Sequence, residues 1–423
     1  MALDRRGFLK WLAASGGAAA VAGCAGSGGG AGAKVVVIGG GYGGATAARF
    51  LRLWAPEIDV TLVERNAEFV SCPISNLVLG GNTEIGTITM GYEGLNKRGV
   101  RIVRDTAVAV DPAARQVRLG GGGTLPYDRL VVSPGIDFLY GQIPALASAE
   151  AQEAVPHAWK AGPQTVALRR QLTAMRDGGV FVLHIPAAPY RCPPGPYERV
   201  CQIADYFKKN KPKSKIVVLD SNPDITSKAG LFRAAWNGMY KGMIDYHPNS
   251  ELADVDVKAM TVKLAFDNVK GDVLNVVPPQ RAGDIAQKTG LITANERWCG
   301  VNWLTMESVA VKGVHVLADA TLSAPAMPKS ASMANQHAKV CAAAVIALIK
   351  GQPVNERPMM MNTCYSFVDG RNAMHVASVH DYDAAQKTMV PVKGTSGVSA
   401  QANELEGTYA WGWARNIWAE ALG

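Results

Sequence analysis

Short continuous apolar runs, each followed by a turn and a helical stretch, punctuate this chain. Lys34-Val35-Val36-Val37-Ile38 is such a run, as expected of a strand buried on both faces of a parallel sheet. A glycine-rich turn follows at once, Ala45 to Trp54 reads as a helix, and Asp59-Val60-Thr61-Leu62-Val63-Glu64 as a second strand, completing a βαβ opening. Short strands are predicted at Arg101 to Asp111 and Gln116 to Leu119, with a turn at Gly120 to Gly123. Tyr127 to Val132 is a further buried strand, ending at Ser133-Pro134-Gly135. A second βαβ unit runs through the strand Gly179 to Ile185, a helix at about Pro196 to Lys208 and the strand Ser214 to Asp220. Gly313 to Asp319 and a helix at about Ser332 to Ile349 suggest a return to the first unit, and from Pro353 the pattern turns strand-like and aromatic.

This order predicts an α/β fold with two Rossmann-like dinucleotide-binding domains, of FAD and NAD(P) type, and a smaller α+β C-terminal domain. The expected boundaries are 34–145 with 284–352 for the first domain, 146–283 for the second and 353–423 for the third. The 423 residues suffice for two or three domains around a large apolar core, and 48% of them are hydrophobic. No apolar run after the N-terminus approaches the roughly 20 residues that a membrane-spanning helix needs.

Residues 1–33 read as a targeting segment, because Arg5-Arg6-Gly7-Phe8-Leu9-Lys10 precedes a short stretch rich in Ala and Gly. That is a twin-arginine pattern, with Asp4 where Ser or Thr is usual, and it predicts export of a folded protein to the periplasm. Two ends are compatible with it. Val21-Ala22-Gly23-Cys24 resembles a lipobox that would anchor the chain through Cys24, and Ala31-Gly32-Ala33 resembles a cleavage site. The formal charge is +8, of which the segment carries +2, so the remainder is mildly basic. The nearest thing to a basic run, Lys208-Lys209-Asn210-Lys211-Pro212-Lys213, reads as a solvated loop before a strand and not as a nucleic-acid site. The seven cysteines form no C-x-x-C-H, so the chain attaches no c-type haem, and their spacing matches neither a zinc site nor a small-domain disulfide framework.

Gly39-Gly40-Gly41-Tyr42-Gly43-Gly44 holds G-x-G-x-x-G between a buried strand and a helix. Gly39 makes the tight turn, Gly41 lets the backbone approach a pyrophosphate, and Gly44 lets the helix pack on the strand. Glu64, at the end of the next strand, is the expected ribose ligand, so this unit predicts a bound adenine dinucleotide. The second unit lacks such a loop. Its strand runs into Pro186-Ala187-Ala188-Pro189-Tyr190-Arg191-Cys192-Pro193-Pro194-Gly195-Pro196, where prolines give no N–H donors and side chains block a pyrophosphate. Asp220 still stands where a ribose-binding carboxylate could be, but the loop offers Cys192 near the place of a nicotinamide.

These motifs, with Cys72-Pro73-Ile74-Ser75-Asn76, Tyr190 to Arg199, Met327-Pro328-Lys329-Ser330 and Asn362-Thr363-Cys364-Tyr365-Ser366 in order, closely resemble the flavin-binding subunit of flavocytochrome c sulfide dehydrogenase. The resemblance covers the chain from Lys34 onward. It implies FAD as cofactor, joined to Cys72 by a thioether at the 8α-methyl, with Asp319 on the ribityl chain although Ala318 stands where Gly is usual. It further implies a redox-active disulfide between Cys192 and Cys364, opened by sulfide through thiol-disulfide exchange. Glu198 matches an acid near that pair, and the electron acceptor would be a separate c-type cytochrome subunit. Cys201, Cys299 and Cys341 match no role and read as core thiols. The aromatic tail from Tyr409 to Trp418 is expected in the core or beside the flavin or cytochrome face. Three other functions share these features: a sulfide:quinone oxidoreductase, an accessory flavoprotein of a thiosulfate-oxidising system, and a flavin-bearing module without catalysis.

Overall fold

The computed structural model describes residues 32–423; the twin-arginine residues Arg5 and Arg6, and the possible ends at Cys24 and Ala31, lie outside the described residues. Strand β1 (Lys34–Ile38) buries Val35 to Ile38 in succession, because helices or loops cover both of its faces. Helix α1 (Tyr42–Trp54) crosses to β2 (Asp59–Val63), which pairs in parallel with β1, and β3 (Arg101–Val103) continues beyond it. The short helix α2 (Ser75–Gly80) lies between β2 and β3 in sequence, and β4 (Arg129–Val132) pairs in parallel with the other edge of β1. Helix α1 begins at Tyr42, earlier than the predicted Ala45, because Gly43 and Gly44 are buried and join its first turn.

The next stretch builds a second parallel sheet. Strand β5 (Val180–Ile185) leads into α3 (Gly195–Asn210) and β6 (Lys215–Asp220), then α4 (Ala229–Asn237), β7 (Ile244–His247) and β8 (Val273–Val276). The strand order is β7-β6-β5-β8. Lys208 and Lys209 are not loop residues but form the last turn of α3, where cations meet the negative end of the helix. Lys209 also binds Asp205 one turn back at 2.6 Å.

Strand β9 (Val314–Val316) returns to the first sheet beside β4, giving the parallel order β9-β4-β1-β2-β3 with Val301–Asn302 and Glu307–Ser308 added at the edge. The order reverses between β1 and β4, so a crevice opens beyond their carboxyl ends. Helix α5 (Ala331–Ile349) then packs against α1, where small residues on both helices permit close approach. Strands β10 (Met359–Phe367) and β11 (Ala373–Asp383) form a long antiparallel hairpin, and α6 (Glu404–Leu422) closes the chain.

The strands that begin at Met359 and this last helix make up the α+β domain expected after Pro353. Tyr409, Trp411 and Trp413 alternate, but the buried positions are Gly407, Ala410, Ala414, Ile417, Trp418, Ala421 and Leu422, a helical spacing. Asn403 starts the helix by accepting from the Glu406 N–H at 2.9 Å. Cys201, Cys299 and Cys341 are fully buried.

Burial holds several imidazole rings in this core neutral, among them those of His157, His184 and His337. Burial pushes His184 down to about 4, and His157 and His337 down to about 3. The unfolded chain takes up protons near the ordinary value of about 6.5, so it binds more protons than the folded chain below that pH. Stability is therefore complete above about pH 6.5 and is lost as pH falls toward the folded values. The urea midpoint is expected to drop between about pH 7 and pH 5. A midpoint constant over that range would contradict the neutral burial of these rings.

Candidate functional site

A cavity of about 940 Å³ opens where β1, β2 and β4 end, lined there by Ile38, Val63 and Ser133. That volume lies near the top of the roughly 300–1,000 Å³ range of ligand pockets. Gly39, Gly41, Glu64, Cys72, Cys192, Glu198, Asp319 and Cys364 all line it. Gly44 does not: it sits behind the loop, where a Cβ would strike the Gly39 carbonyl, so its role is to let α1 close on β1.

The cradle end is built from backbone. Gly39 adopts φ +95, and any side chain there would run into the Ser133 carbonyl. Beyond Gly41, where a Cβ would touch nothing, the first N–H groups of α1 present a positive end to an anion. Glu64 accepts from the Gly40 N–H at 2.7 Å and, on its other oxygen, from the Asn66 N–H at 2.7 Å and Nδ2 at 2.8 Å. A carboxylate has about four acceptor positions, so capacity remains for a hydroxyl.

Asp319 lies in a tight turn, Ala318–Ala320. Ala318 holds φ +62, which explains why glycine suits that position. Asp319 Oδ1 is buried without a hydrogen-bond partner. Burial raises this carboxyl, and Arg191 and Lys329 draw it back. Asp319 lines the cavity, and its carboxyl is the group there that would meet the hydroxyls of a ribityl chain.

The sulfur groups come from three distant stretches. Cys72 precedes α2, and its carbonyl accepts from the Ser75 N–H at 3.1 Å and hydroxyl at 2.6 Å. Its Sγ lies 3.8 Å from the Trp159 carbonyl. Cys192 holds φ +59, fixed by its N–H donating to the Lys329 carbonyl at 2.8 Å and its own carbonyl accepting from Gly195 at 2.9 Å. Cys364 projects from β10, with Sγ 3.3 Å from Asn362 Oδ1. All three are free thiols here, where the resemblance implies a disulfide between Cys192 and Cys364. Burial and then the neighbouring Cys364 push the Cys192 thiol up, while Arg191 and Lys228 pull it back. Cys364 is also pushed up by burial and drawn down by Lys228.

Glu198 is buried in the first turn of α3, not solvated. Its oxygens accept from the Phe367 N–H and Asn76 Nδ2, each at 2.8 Å, yet burial still raises its carboxyl above the ordinary range. Asp220, the possible ribose ligand of the second unit, is also buried. Its carboxylate accepts from the Tyr197 hydroxyl at 2.7 Å, the Tyr246 hydroxyl at 3.0 Å and Asn222 at 2.7 and 2.9 Å. The chain's own side chains occupy it.

Sequence reasoning gave no role to Asn76, Arg191 or Lys228, and it placed Trp413 only within the aromatic tail expected in the core or beside the flavin or cytochrome face. Arg191 lines the cavity and sits among Cys72, Asp319 and Cys192; its adjacency to Cys192 was the available signal. Trp413 lines the cavity with its ring 6.3 Å from that of Tyr365, while Trp418 packs inward and donates to the Tyr42 hydroxyl at 2.9 Å.

The parallel sheets, the glycine cradle and the cysteine-bearing loop define an oxidoreductase of the pyridine nucleotide-disulfide type. The model of that family, described as pyridine nucleotide-disulphide oxidoreductase, matches residues 33–172. Two narrower models follow it: the central part of the sulfide dehydrogenase (flavocytochrome c) flavoprotein chain over residues 165–278, and the flavin-binding part of flavocytochrome c sulphide dehydrogenase over 356–422. The chain belongs to the flavocytochrome c sulfide dehydrogenase flavoprotein family, whose members are sulfide-oxidising flavoproteins. It is 58% identical over 37 residues to the flavoprotein chain of Chlorobaculum thiosulfatiphilum sulfide dehydrogenase, spanning 9% of this chain and 77% of that one. It is 23% identical over 314 residues to the mitochondrial sulfide:quinone oxidoreductase of Dictyostelium discoideum, covering 71% of this chain and 67% of that protein. The sulfide:quinone oxidoreductase structure of Aquifex aeolicus shares the fold, with a TM-score of 0.76 at 18% identity over 92% of this chain and 91% of that one.

The cavity lining fits FAD: Gly39, Gly41 and Glu64 would hold its adenosine and pyrophosphate end, and Asp319 would meet its ribityl chain. In a Cys72→Ser background, Asp319→Ala is expected to weaken flavin retention roughly ten- to hundred-fold, the scale of one hydrogen bond to a charged group. Flavin absorbance per chain after gel filtration reads this directly. Equal retention in both proteins would remove Asp319 from the site.

Proposed function

We propose that this chain is an exported, periplasmic flavoprotein that oxidises hydrosulfide at the Cys192 and Cys364 pair beside FAD joined to Cys72, and passes the electrons to a separate c-type cytochrome. The observation that carries this reading is that Cys192, Cys364 and Glu198 line one cavity with Gly39, Glu64 and Asp319. The filled position at Asp220 supports it, because a nicotinamide dinucleotide would compete for that carboxylate.

In this reading the working pair is a disulfide. Hydrosulfide attacks one sulfur, the S–S bond breaks, and the products are a cysteine persulfide and a cysteine thiolate. A second hydrosulfide removes the outer sulfur as a disulfane anion, leaving the dithiol. When bound, FAD supplies an acceptor for the electron pair released as the dithiol closes again, and a one-electron outlet toward haem. Glu198, with its raised carboxyl oriented by Asn76 and Phe367, takes and returns the proton at the sulfur pair. Arg191, beside Cys72 and Cys192, stabilises negative charge on sulfur. Covalent attachment at Cys72 would prevent flavin loss outside the cytoplasm.

A quinone is the alternative acceptor, favoured by the likeness to the two sulfide:quinone oxidoreductases. Among the described residues no helix is long and apolar enough to cross a membrane. Purified protein is expected to reduce cytochrome c with sulfide as donor, and turnover with soluble quinone alone would replace the cytochrome reading. Cys192→Ser and Cys364→Ser should each lower the sulfide-driven rate by roughly 10³-fold or more, the scale of losing a nucleophile. Normal rates in both would refute the sulfur chemistry. After denaturation, flavin should remain on the Cys72 peptide, and release of all the colour would refute the covalent link.

A further inference from the structure

Lys228 sits in a place that local physics disfavours three times over. It caps the N-terminus of α4, where the helix's positive end repels a cation. Its backbone holds φ +56, outside the regions that L side chains prefer. Its side chain is buried, with 7% of the residue's surface exposed. The ammonium donates to the Cys364 carbonyl at 3.0 Å and the Ser366 hydroxyl at 2.8 Å, both neutral acceptors. Among the described residues no carboxylate oxygen lies within 4.0 Å of Nζ. An ammonium has three N–H donors, so one donor and the whole charge are left without an anion. Local rules are broken together in this way chiefly where function demands it.

The missing anion is one that the proposed reaction makes. Lys228 does not line the cavity; it stands behind Cys364 and acts through it. Resting on the reading above, we infer that Lys228 is a positioning residue that holds Cys364 sulfur as the thiolate when the Cys192–Cys364 bond opens, which makes Cys192 the sulfur that hydrosulfide attacks. In that step a bond forms between the hydrosulfide sulfur and Cys192, and the S–S bond breaks. The hydrosulfide sulfur is oxidised, the Cys364 sulfur is reduced and keeps the electron pair, and the proton stays on the persulfide. Charge is conserved, since one anion enters and one thiolate remains.

The groups around the lysine are consistent with this division. Cys364, Glu198, Cys192 and Glu406 are the titratable groups that act on it, and burial brings it down to about 8, still a cation at neutral pH. Cys364 responds to Lys228 as its one cation, with Glu198 and the neutral partners Asn362 and Ser330 beside it, whereas Cys192 responds first to Arg191 and only then to Lys228.

The test uses the full, FAD-loaded chain, reduced to the dithiol and alkylated with iodoacetamide across a pH series, with each cysteine peptide followed by mass spectrometry. In the unaltered protein Cys364 is expected to react with a lower pH midpoint than Cys192. Lys228→Met should raise the Cys364 midpoint by at least about one unit, or slow its labelling about tenfold at a fixed pH, and Lys228→Arg should restore it. Protection of the core thiol Cys201 reports folding; where Lys228→Met exposes it, Lys228→Gln, which keeps hydrogen bonds without charge, is read instead. A Cys364 profile that does not move in the folded neutral variant overturns the role of Lys228. Failure of sulfide to bleach the flavin of the unaltered protein would instead overturn the functional reading, and the alkylation profile separates the two.

Discussion

A guanidinium taken out of water must be given acceptors or cost several kcal/mol, and the way Arg199 meets that demand sets the geometry of the cavity. It is 2% exposed. Its Nε donates to Asn76 Oδ1 at 3.2 Å, Nη1 to the His157 carbonyl and Asn275 Oδ1 at 2.8 Å each, and Nη2 to the Ala158 carbonyl at 2.6 Å. Those acceptors belong to α2, to the loop before the second sheet and to β8, so a single side chain of α3 ties three stretches together. Desolvation pulls the group down to about 10, well above neutral pH, so it remains a cation. With α3 fixed in rotation, its neighbour Glu198 meets Asn76 and the Cys192 loop is held at the helix start.

The second sheet illustrates how little has to change to alter a binding site's chemistry. Its βαβ geometry is that of a nucleotide fold, yet the position that would take a ribose now holds tyrosine hydroxyls. Tyr197 links Asp220 to Thr226, and Thr226 Oγ1 in turn reaches the Pro193 carbonyl at 3.2 Å. A carboxylate suited to a ligand has become an anchor beneath the cysteine loop.

Much of this was legible in the chain itself, for local reasons. Lys34 to Ile38, the glycine loop and Glu64 obey short-range rules of burial, turn geometry and helix-end charge, so position in sequence implies position in space. Cys72, Cys192, Glu198, Asp319 and Cys364 were legible as motifs, although no local rule could say that they share a cavity. Lys228 was invisible, because its meaning lies in contact with β10, a strand far along the chain. The terminal helix received no bounds from the sequence, because its small residues, Gly407, Ala410 and Ala414, carry the helical period while its aromatic residues stand out. Glycine and alanine are weak markers of burial in sequence but decide how closely a helix can pack.

Because its walls come from near both ends of the chain and from the middle, the cavity does not exist until the β10 and β11 hairpin has docked. Such non-local closure is slow relative to helix and turn formation. A polypeptide without that hairpin therefore lacks the wall that Thr363, Cys364, Tyr365 and Phe367 supply, and the seat for a cofactor is incomplete. Once filled, the seat favours the finished form over every partly assembled one by mass action.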